Sequence, residues 1–458
     1  MPFQIDDQTK KDLDIFGTYK SGKSIFDLFN LTTCKGGQDK LYRFLAEPMT
    51  DLQKINERKE AVLFFQHHVT SRLTIDKDAL DYAVYYLKDR GSSIRRASKV
   101  WSAERKIMNT LNPTESYYVV KNGVSSMIMI LKSLYEFSLN LVNEEKANHC
   151  PILLKKDNDK VLEIFALSDF QSALDLKILK AYDIDVYDSI FRHSQSRNIQ
   201  FLINLIYEYD AFQAIANAAD KYNLCYPDVL PKSANCLELE GLFHPFVEDA
   251  VANDISFGGE SNLLFITGPN MAGKSTFLKA LGVSAYLAHA GFPVPAKSMR
   301  LSLISGLCTT INISDDLHSG YSHFYAEVLR VKYVANQLKE NNNLLVIFDE
   351  LFRGTNVKDA YDGTLAIVSA FARIKSSFFV ISTHIIEAAE SLSANDNISF
   401  RSFEIREVDG HPTYTYKLKN GISTDRLGMY IIRKERVVEM INEVLTTELK
   451  SDNIESND

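Results

Sequence analysis

A glycine-rich loop in the second half of the chain has the residue types and the spacing to bind phosphate. Residues 268–276 read Gly-Pro-Asn-Met-Ala-Gly-Lys-Ser-Thr, which fits G-x-x-x-x-G-K-[ST], the pattern of the phosphate loop of nucleoside triphosphatases. Glycines at both ends let the backbone turn tightly, so that its N–H groups can point at phosphate oxygens. Lys274 supplies a positive charge for the β- and γ-phosphates, and the Ser275 hydroxyl can ligate Mg²⁺. The residues that we predict to bind a nucleotide are Gly268, Pro269, Asn270, Met271, Ala272, Gly273, Lys274, Ser275 and Thr276.

Two carboxylates follow an apolar run further along the chain and could complete such a site. Asp349 and Glu350 come directly after Val-Ile-Phe at 346–348. At the carboxyl end of a neighbouring parallel strand, Asp349 can hold Mg²⁺ directly or through water. Glu350 can position or deprotonate an attacking water. We therefore predict Ser275 and Asp349 as metal-binding residues and Glu350 as catalytic; the alternative is a pair of solvated acids after a strand.

A histidine ends a third apolar run. The run at 378–381 leads into Ser-Thr and then His384. A histidine at the tip of a third core strand could reach the γ-phosphate, because the carboxyl ends of parallel strands meet at one edge of a sheet. We predict His384 as the second catalytic residue.

The elements that must position these residues change type near the middle of the chain. Residues 1–225 show helical spacing of apolar residues, most clearly at 197–222. Pro227 and Pro231 break that pattern, and we place the domain boundary there. Beyond it, continuous apolar runs alternate with amphipathic runs, as in a buried parallel sheet with helices. The sequence predicts an all-α domain at residues 1–228 and an α/β domain at 229–458, with a disordered polar tail from about 450.

One hairpin is also predicted within the α/β part. Residues 401–408 and 413–418 have strand character, and Asp-Gly at 409–410 lies between them. Asp-Gly is a preferred turn of β-hairpins.

Composition excludes several classes of protein. Hydrophobic residues make up 45% of the chain, which is enough for large cores, and the net charge of −8 provides no global field that would attract nucleic acid. Five cysteines without a CxxC pair indicate reduced thiols rather than a disulfide framework or a zinc site. The polar N-terminus predicts no signal peptide, and no apolar run reaches the length of a membrane span. We expect a cytoplasmic protein without membrane contact.

Taken together, these motifs resemble those of the MutS DNA mismatch-repair ATPases, which are relatives of the ABC-type ATPases. The loop at 268–276, the acid pair followed by Arg-Gly-Thr at 353–355, and Thr-His at 383–384 carry the resemblance. Residues 314–327 are similar to the family's signature stretch with its S-x-F-x-x-E run. Weaker matches in the first half extend the resemblance over most of residues 24–445.

The resemblance implies a fold and a mode of action. It implies an α/β P-loop (ABC-like) ATPase domain, preceded by an N-terminal all-α core and lever domain. It implies Mg²⁺-dependent hydrolysis of ATP and a homodimer in which Ser322 reaches the partner subunit's nucleotide. The ATP state would then open or close helical levers around duplex or branched DNA.

The chain also departs from the family pattern. It enters the core almost at once, so we expect neither the mismatch-binding module nor the connector, and the segment between about 145 and 197 is too short for the usual clamp. Ala250 stands where relatives place a larger apolar residue near the base, which leaves the adenine-stacking residue open.

A basic stretch could contact DNA. Residues 88–106 carry seven basic side chains against two acidic ones, and such a patch could neutralise phosphates without reading bases. The alternative is a solvated helix surface with internal ion pairs. The candidate DNA-binding residues are Arg90, Arg95, Arg96 and Lys99.

Two functions from different classes remain open on the sequence alone. The first is a DNA-binding ATPase of the MutS type that switches a dimeric clamp in mismatch repair or recombination control, without reading mismatches itself. The alternative is an ATP-switched protein scaffold that has lost DNA binding. The nucleotide subunit of an ABC transporter is disfavoured, because that class needs an LSGGQ-like signature and this chain has Ser-Gly-Tyr-Ser at 319–322.

Overall fold

The structure is a computed structural model of the chain. It describes residues 2–17, 23–68, 72–89, 115–146, 149–258, 261–311, 323–408, 411–423 and 434–443. Several predictions fall outside these described residues, namely Ser322, the candidate DNA contacts Arg90, Arg95, Arg96 and Lys99, the Asp-Gly turn at 409–410 and the polar tail from about 450.

The described chain forms two compact units. The first unit comprises Met1–Ala234 and Val283–Ser305, and the second comprises Asn235–Gly282 and Gly306–Asp458. The division falls inside the helix Lys274–Ala290, between Gly282 and Val283.

The first unit is built mainly from helices. Its helices are α1 Asp7–Asp12, α2 Ile25–Phe29, α3 Lys35–Ala46, α4 Leu52–His67, α5 Lys77–Lys88, α6 Glu115–Lys146, α7 Ile152–Phe165, α8 Ser168–Leu174, α9 Ala181–Ser189, a π-helical turn Ile190–Ser194, α10 Ser196–Tyr222 and a 3₁₀ turn Lys232–Ala234. Its strands are β1 Gln4–Ile5, β2 Asp228–Leu230 and β6 Ser298–Ser302. β2 and β6 pair in parallel. The predicted all-α domain contained no such pair, because β6 comes from a distant part of the chain.

A buried aspartate in α10 holds the start of α3. The Asp210 carboxylate accepts N–H bonds from Thr33 at 2.9 Å and from Cys34 at 3.0 Å. These donors lie at the N-terminus of α3, where backbone N–H groups have no partner within the helix. A side chain at Gly37 would place its Cβ 2.0 Å from the same carboxylate, so the close approach requires glycine. Burial and the charge of Asp210 raise the pKa of the Cys34 thiol to about 12.

Replacing Asp210 by Ala is expected to lower the free energy of unfolding by about 1–3 kcal/mol, because the buried backbone N–H of Cys34 loses its acceptor. Asp210→Asn should cost less, since the amide oxygen still accepts. Urea unfolding followed by circular dichroism measures the change. The control is Asp220→Ala, which removes an exposed carboxylate from the same helix. Equal stability of the Asp210→Ala and control variants would contradict the assignment.

The second unit contains a mainly parallel sheet. Its strands are β3 Cys236–Leu242, β4 Asn253–Gly258, β5 Leu263–Thr267, β7 Gly306–Thr310, β8 Leu344–Asp349, β9 Phe378–Thr383, β10 Ile398–Val408 and β11 His411–Asn420. Its helices are α12 His323–Glu340, α13 Val357–Phe371 and α14 Ile386–Leu392, together with the first part of α11 Lys274–Ala290. Within this unit the strand order is β7-β8-β9-β5-β10-β11, and β3 pairs with β4. The α/β character predicted for this part is confirmed.

The central strands are β5, β8 and β9, and every residue of each is buried. A parallel strand covered on both faces needs a continuous apolar run, which is what the sequence supplies at these positions. The register aligns Thr267 with Thr383 and Asp349 with Ser382. The carboxyl ends of three neighbouring strands therefore lie level with one another.

Two further features complete the fold. β10 and β11 form the antiparallel hairpin that was predicted, with an irregular register between Phe403 and Ile405. The backbone is helical at 437–443. Among the described residues, no helix combines the length and the apolar character needed to cross a bilayer.

Candidate functional site

The glycine loop joins β5 to α11 in a conformation that depends on its glycines. Gly268 has φ +147° and Gly273 has φ +102°, values that side chains disfavour. The backbone turns there and enters α11 at Lys274. The positive end of that helix therefore faces the loop, an arrangement that favours an anion.

Lys274 is buried and is held by its own loop. Its Nζ donates to Gly268 O at 2.6 Å and to Pro269 O at 3.2 Å. Glu350 Oε1 lies 3.6 Å from the same nitrogen. Burial lowers the pKa of Lys274, while the carboxylates of Glu350 and Asp349 oppose that shift. The ammonium group is thus held inside the loop, beside the Glu350 carboxylate.

Asp349 ends β8 and is buried against two hydroxyl groups. Ser275 Oγ donates to its Oδ2, and Ser382 Oγ donates to its Oδ1 at 2.5 Å. The two residues predicted to hold a metal are therefore in direct contact. A hydroxyl and a carboxylate oxygen are both hard ligands of the kind Mg²⁺ takes in proteins, so this donor set fits the ion.

Glu350 lies among three basic groups. Its Oε2 is 2.8 Å from Arg353 Nε and 3.3 Å from His384 Nδ1, and its Oε1 faces Lys274. Burial alone would raise the pKa of Glu350. The hydrogen bond from His384 and the charges of Arg353 and Lys274 outweigh burial and lower the pKa to about 2. The carboxylate is therefore ionised at neutral pH.

A local strain accompanies this arrangement. Glu350 has φ +64°, a left-handed conformation that is uncommon outside glycine. Such a backbone persists where neighbouring contacts fix it, and it is concentrated at functional sites. The contacts of the Glu350 carboxylate with Lys274, Arg353 and His384 are of that fixing kind.

Arg353 and Glu327 belong to this cluster, although sequence analysis gave neither a role. The Arg353 guanidinium contacts Glu350 and donates to Asp349 O at 3.0 Å. The backbone N–H of Arg353 donates to Glu327 Oε1 at 3.2 Å, and that of Gly354 reaches Oε2 at 3.5 Å. Burial raises the pKa of Glu327, and the hydrogen bonds from these two backbone N–H groups reduce that rise. Arg353 begins the Arg-Gly-Thr at 353–355, and Glu327 ends the S-x-F-x-x-E run, so each lies in a stretch that resembles the family's.

The loop after β8 packs tightly on the start of α12. A Cβ at Gly354 would lie 2.5 Å from His323 Cβ and 2.5 Å from Phe324 N, so only glycine fits. Glu327 lies one turn further along α12 and binds the same loop. The loop that carries Arg353 is therefore fixed to the first turns of α12.

A cavity of about 680 Å³ opens beside the glycine loop, within the range of small-molecule sites. Lys274, Glu350 and Arg353 line it, so the charged cluster faces this space. A second cavity of about 220 Å³ also contains Glu350 and Arg353 in its wall, together with Asp349 and Glu327.

Tyr416 lines the larger cavity, and sequence analysis missed it. A Cβ at Gly273 would lie 3.3 Å from Tyr416 Cδ1, so the ring is close to the glycine loop. Asn253 fixes the strand there, because its Nδ2 donates to Tyr416 O at 2.9 Å and its Oδ1 accepts from Leu418 N at 2.7 Å. Ala250, the position left open for base stacking, lines the same cavity. No sequence pattern indicated Tyr416.

The structure brings together those predicted site residues that lie in its described part. Residues of the glycine loop, Asp349, Glu350 and His384 converge at one edge of the sheet. Ser322 and the four basic residues Arg90, Arg95, Arg96 and Lys99 fall outside the described part of the chain.

Comparison with known proteins identifies similar families and relatives. The family model of MutS domain III matches residues 8–230, and that of MutS domain V matches residues 264–450. The DNA mismatch repair protein MutS of Petrotoga mobilis is 23% identical over 96% of this chain and 64% of its own length. The proteins of the same name from Staphylococcus saprophyticus and Anaplasma phagocytophilum are each 31% identical, over 54% and 52% of this chain and 28% and 29% of their own lengths. The chain therefore spans less than two thirds of these curated relatives.

Proposed function

The chain belongs to the MutS family, and from that premise we propose that it is a Mg²⁺-dependent ATPase that couples hydrolysis to binding of duplex or branched DNA as a homodimer. The observation that carries the proposal is one connected cluster: Lys274, Ser275 and Glu350 line the larger cavity, Asp349 contacts Ser275, and His384 contacts Glu350. The proposed reaction converts ATP and water to ADP and phosphate.

In this proposal each residue of the site has a separate role in ATP binding or hydrolysis. The N–H groups of the loop at 268–276 and the Lys274 ammonium bind the triphosphate. Ser275 and Asp349 would hold Mg²⁺, which supplies charge neutralisation on the phosphate oxygens when bound. Glu350 accepts a hydrogen bond from the attacking water and orients it. His384 and Arg353 keep the Glu350 carboxylate ionised and in place, and His384 contacts the γ-phosphate.

We propose that Glu327 positions the catalytic loop without touching the nucleotide. Glu327→Ala should reduce kcat for ATP hydrolysis by about 10–100-fold, because a displacement of about 1 Å at a reacting group has effects of that size. The KM for ATP should change little. Glu327→Gln should recover part of the rate, since the amide oxygen can still accept from the Arg353 N–H.

Steady-state kinetics of both Glu327 variants test this role. Glu340→Ala, an exposed carboxylate at the other end of α12, is the matched control and should hydrolyse ATP as the unmodified chain does. A rise in KM with an unchanged kcat would place Glu327 in binding instead.

We propose that the Tyr416 ring stacks on the adenine base. Tyr416→Ala should weaken ATP binding by about 1–3 kcal/mol, the range measured for base–aromatic stacking in other proteins. Tyr416→Phe should bind nearly as well, because the face of the ring makes the contact. Titration with a fluorescent ATP analogue provides both affinities, and equal loss in the two variants would assign the contact to the hydroxyl group.

The proposed domains are a helical core and lever at residues 1–228 and the ATPase at residues 229–458. In the proposed dimer, Ser322 of each subunit reaches the partner's nucleotide. Arg90, Arg95, Arg96 and Lys99 are the proposed contacts with DNA phosphates. The net charge of −8 favours the second candidate, an ATP-switched protein scaffold without DNA binding.

The ATPase rate with and without DNA distinguishes the two candidates. Homoduplex, mismatched and four-way-junction DNA are each added to the full chain at low salt, where phosphate contacts are strongest. Stimulation by any of them supports a DNA-coupled ATPase. Replacing Arg95 and Arg96 by Gln should then reduce the salt dependence of binding. ATPase activity with no DNA affinity at low salt favours the scaffold, and absence of ATPase activity under all conditions rejects the proposed function.

A further inference from the structure

We propose that His68, Glu144 and His149 in the first unit form a binding site for a transition-metal ion of the Zn²⁺ type. The ligand atoms of the three side chains lie within 4.8 Å of one another. Glu144 Oε2 is 3.6 Å from His68 Nε2 and 3.8 Å from His149 Nδ1. The proposal depends on this cluster alone and is independent of the proposed ATPase function.

Two helix ends bring the cluster together. His68 caps the C-terminus of α4, and Glu144 lies in the last turn of α6. His149 follows α6, and its backbone N–H donates to Glu144 O at 2.9 Å. The C-terminus of a helix carries a partial negative charge, which favours a cation. Both helix ends therefore add attraction for a metal ion to that of the carboxylate.

The tautomer of His68 is set by its own helix. His68 Nδ1 lies 3.1 Å from Phe64 O, and the ring stacks on the Phe64 ring at 4.5 Å. A carbonyl oxygen only accepts, so Nδ1 must carry the hydrogen. In the neutral ring, Nε2 then presents its lone pair to Glu144 Oε2. A hydrogen bond from one ring nitrogen to a carbonyl is the usual support of a metal-bound histidine.

The carboxylate–imidazole separations in the cluster are close to the spacing of two ligands on one metal ion. N–H···O hydrogen bonds span about 2.7–3.2 Å, and both observed separations are longer. A tetrahedral ion with ligands at about 2.0–2.1 Å keeps its ligand atoms about 3.3–3.4 Å apart. The Glu144–His68 and Glu144–His149 separations would have to shorten by about 0.2–0.5 Å to reach that spacing.

The donor set indicates which metal is bound. Two imidazole nitrogens and one carboxylate oxygen make up a known three-ligand set for Zn²⁺, with water at the fourth position. Cys150 follows His149 but does not belong to the cluster, and its Sγ donates to Pro151 O at 3.7 Å. His149 is 61% exposed, which leaves a path for the ion and for water. Bound metal would tie the ends of α4 and α6 together.

Zinc titration of the full chain tests the proposal. Calorimetry is performed without nucleotide and with excess Mg²⁺, which competes for the oxygen ligands of the candidate nucleotide site. One equivalent of Zn²⁺ is expected to bind. His68→Ala, His149→Ala and Glu144→Gln should each weaken that binding by about tenfold or more. His67→Ala is the matched control, because it removes the neighbouring imidazole from the end of α4, and it should bind as the unmodified chain does.

Thermal unfolding and Co²⁺ absorption provide independent readouts. Zn²⁺ should raise the Tm of the unmodified chain and of His67→Ala more than that of the three ligand variants. If a histidine variant fails to fold, two results still show whether the cluster binds the metal: the Zn²⁺ affinity of Glu144→Gln, and the visible spectrum of Co²⁺ bound to the unmodified chain. Equal Zn²⁺ affinity in all variants would place the ion elsewhere, and an absence of binding at millimolar Zn²⁺ would identify the cluster as an ion pair only. Either result overturns the proposal.

Discussion

Replacing Glu350 by Gln is expected to lower kcat for ATP hydrolysis by about 10²–10⁴-fold, the range for loss of a general base. ATP affinity should stay within a few-fold, because the loop at 268–276 and Lys274 remain. Gln has the same size and can still meet Arg353 and His384. It lacks the negative charge with which Glu350 is proposed to orient water. The expected variant therefore binds ATP and does not turn it over.

The protonation state of the Glu350 carboxylate also has consequences for how the ATPase rate and the stability of the unmodified chain depend on pH. The lowered pKa of about 2 keeps Glu350 ionised well below neutral pH. If the ATPase rate falls between pH 6 and pH 5, the fall should therefore be caused by protonation of a group other than Glu350. Because the folded-state pKa lies below the ordinary value of 4.5, Glu350 contributes stability that is present above pH 4.5 and is lost as the pH falls toward 2.

Single-turnover and steady-state rates, with a nucleotide-binding assay, measure the Glu350→Gln effect. Glu390→Gln is the matched control, since this exposed carboxylate lies on α14 after the same sheet edge. If steady-state hydrolysis by Glu350→Gln equals that of the control, Glu350 has no catalytic role and the base must be sought elsewhere.

Replacing Lys274 by Ala is expected to weaken ATP binding by about a hundredfold or more. The bound phosphate would lose the Lys274 ammonium as its partner, and removing one partner of a buried charge pair costs about 3–5 kcal/mol. Lys274 is 5% exposed, and carbonyl oxygens of its own loop hold its ammonium group. Its loss removes the cation that is proposed to meet the triphosphate. It also leaves Glu350 with one fewer positive neighbour, so that phosphate binding meets more repulsion.

Equilibrium binding of a fluorescent ATP analogue measures the Lys274→Ala effect, with Lys279→Ala as control on the same helix. Lys279 is half-exposed and is not among the residues around the large cavity. Lys274→Ala should lose both binding and hydrolysis, whereas Glu350→Gln should lose hydrolysis alone. Similar ATP affinity in the two lysine variants would remove Lys274 from the phosphate site.

Local spacing was enough to predict the second unit's sheet and the cluster at its edge. The apolar runs before Asp349 and His384 are long enough for buried strands, and the run before Gly268 is of the same kind. Parallel strands bring their carboxyl ends to one edge, so residues just after them must meet. The hairpin at 398–420 was likewise predicted from strand character on both sides of Asp-Gly.

Side chains that act across the fold were not predictable in this way. Tyr416 reaches the glycine loop because of the hairpin's position and its contact with Asn253. Glu327 meets Arg353 because α12 packs against the loop after β8 at Gly354. Neither pair has a fixed spacing in the chain, so no pattern marks it.

By itself, the sequence determined which residues are candidates for binding phosphate and metal and on which strand ends they stand, because backbone periodicity and the topology of parallel strands are local rules. Only the tertiary structure decided which charges surround Glu350, which aromatic ring lines the cavity, and that His68 meets Glu144 and His149. These contacts depend on how helices and strands pack, and packing is set by the whole of a core rather than by any one segment.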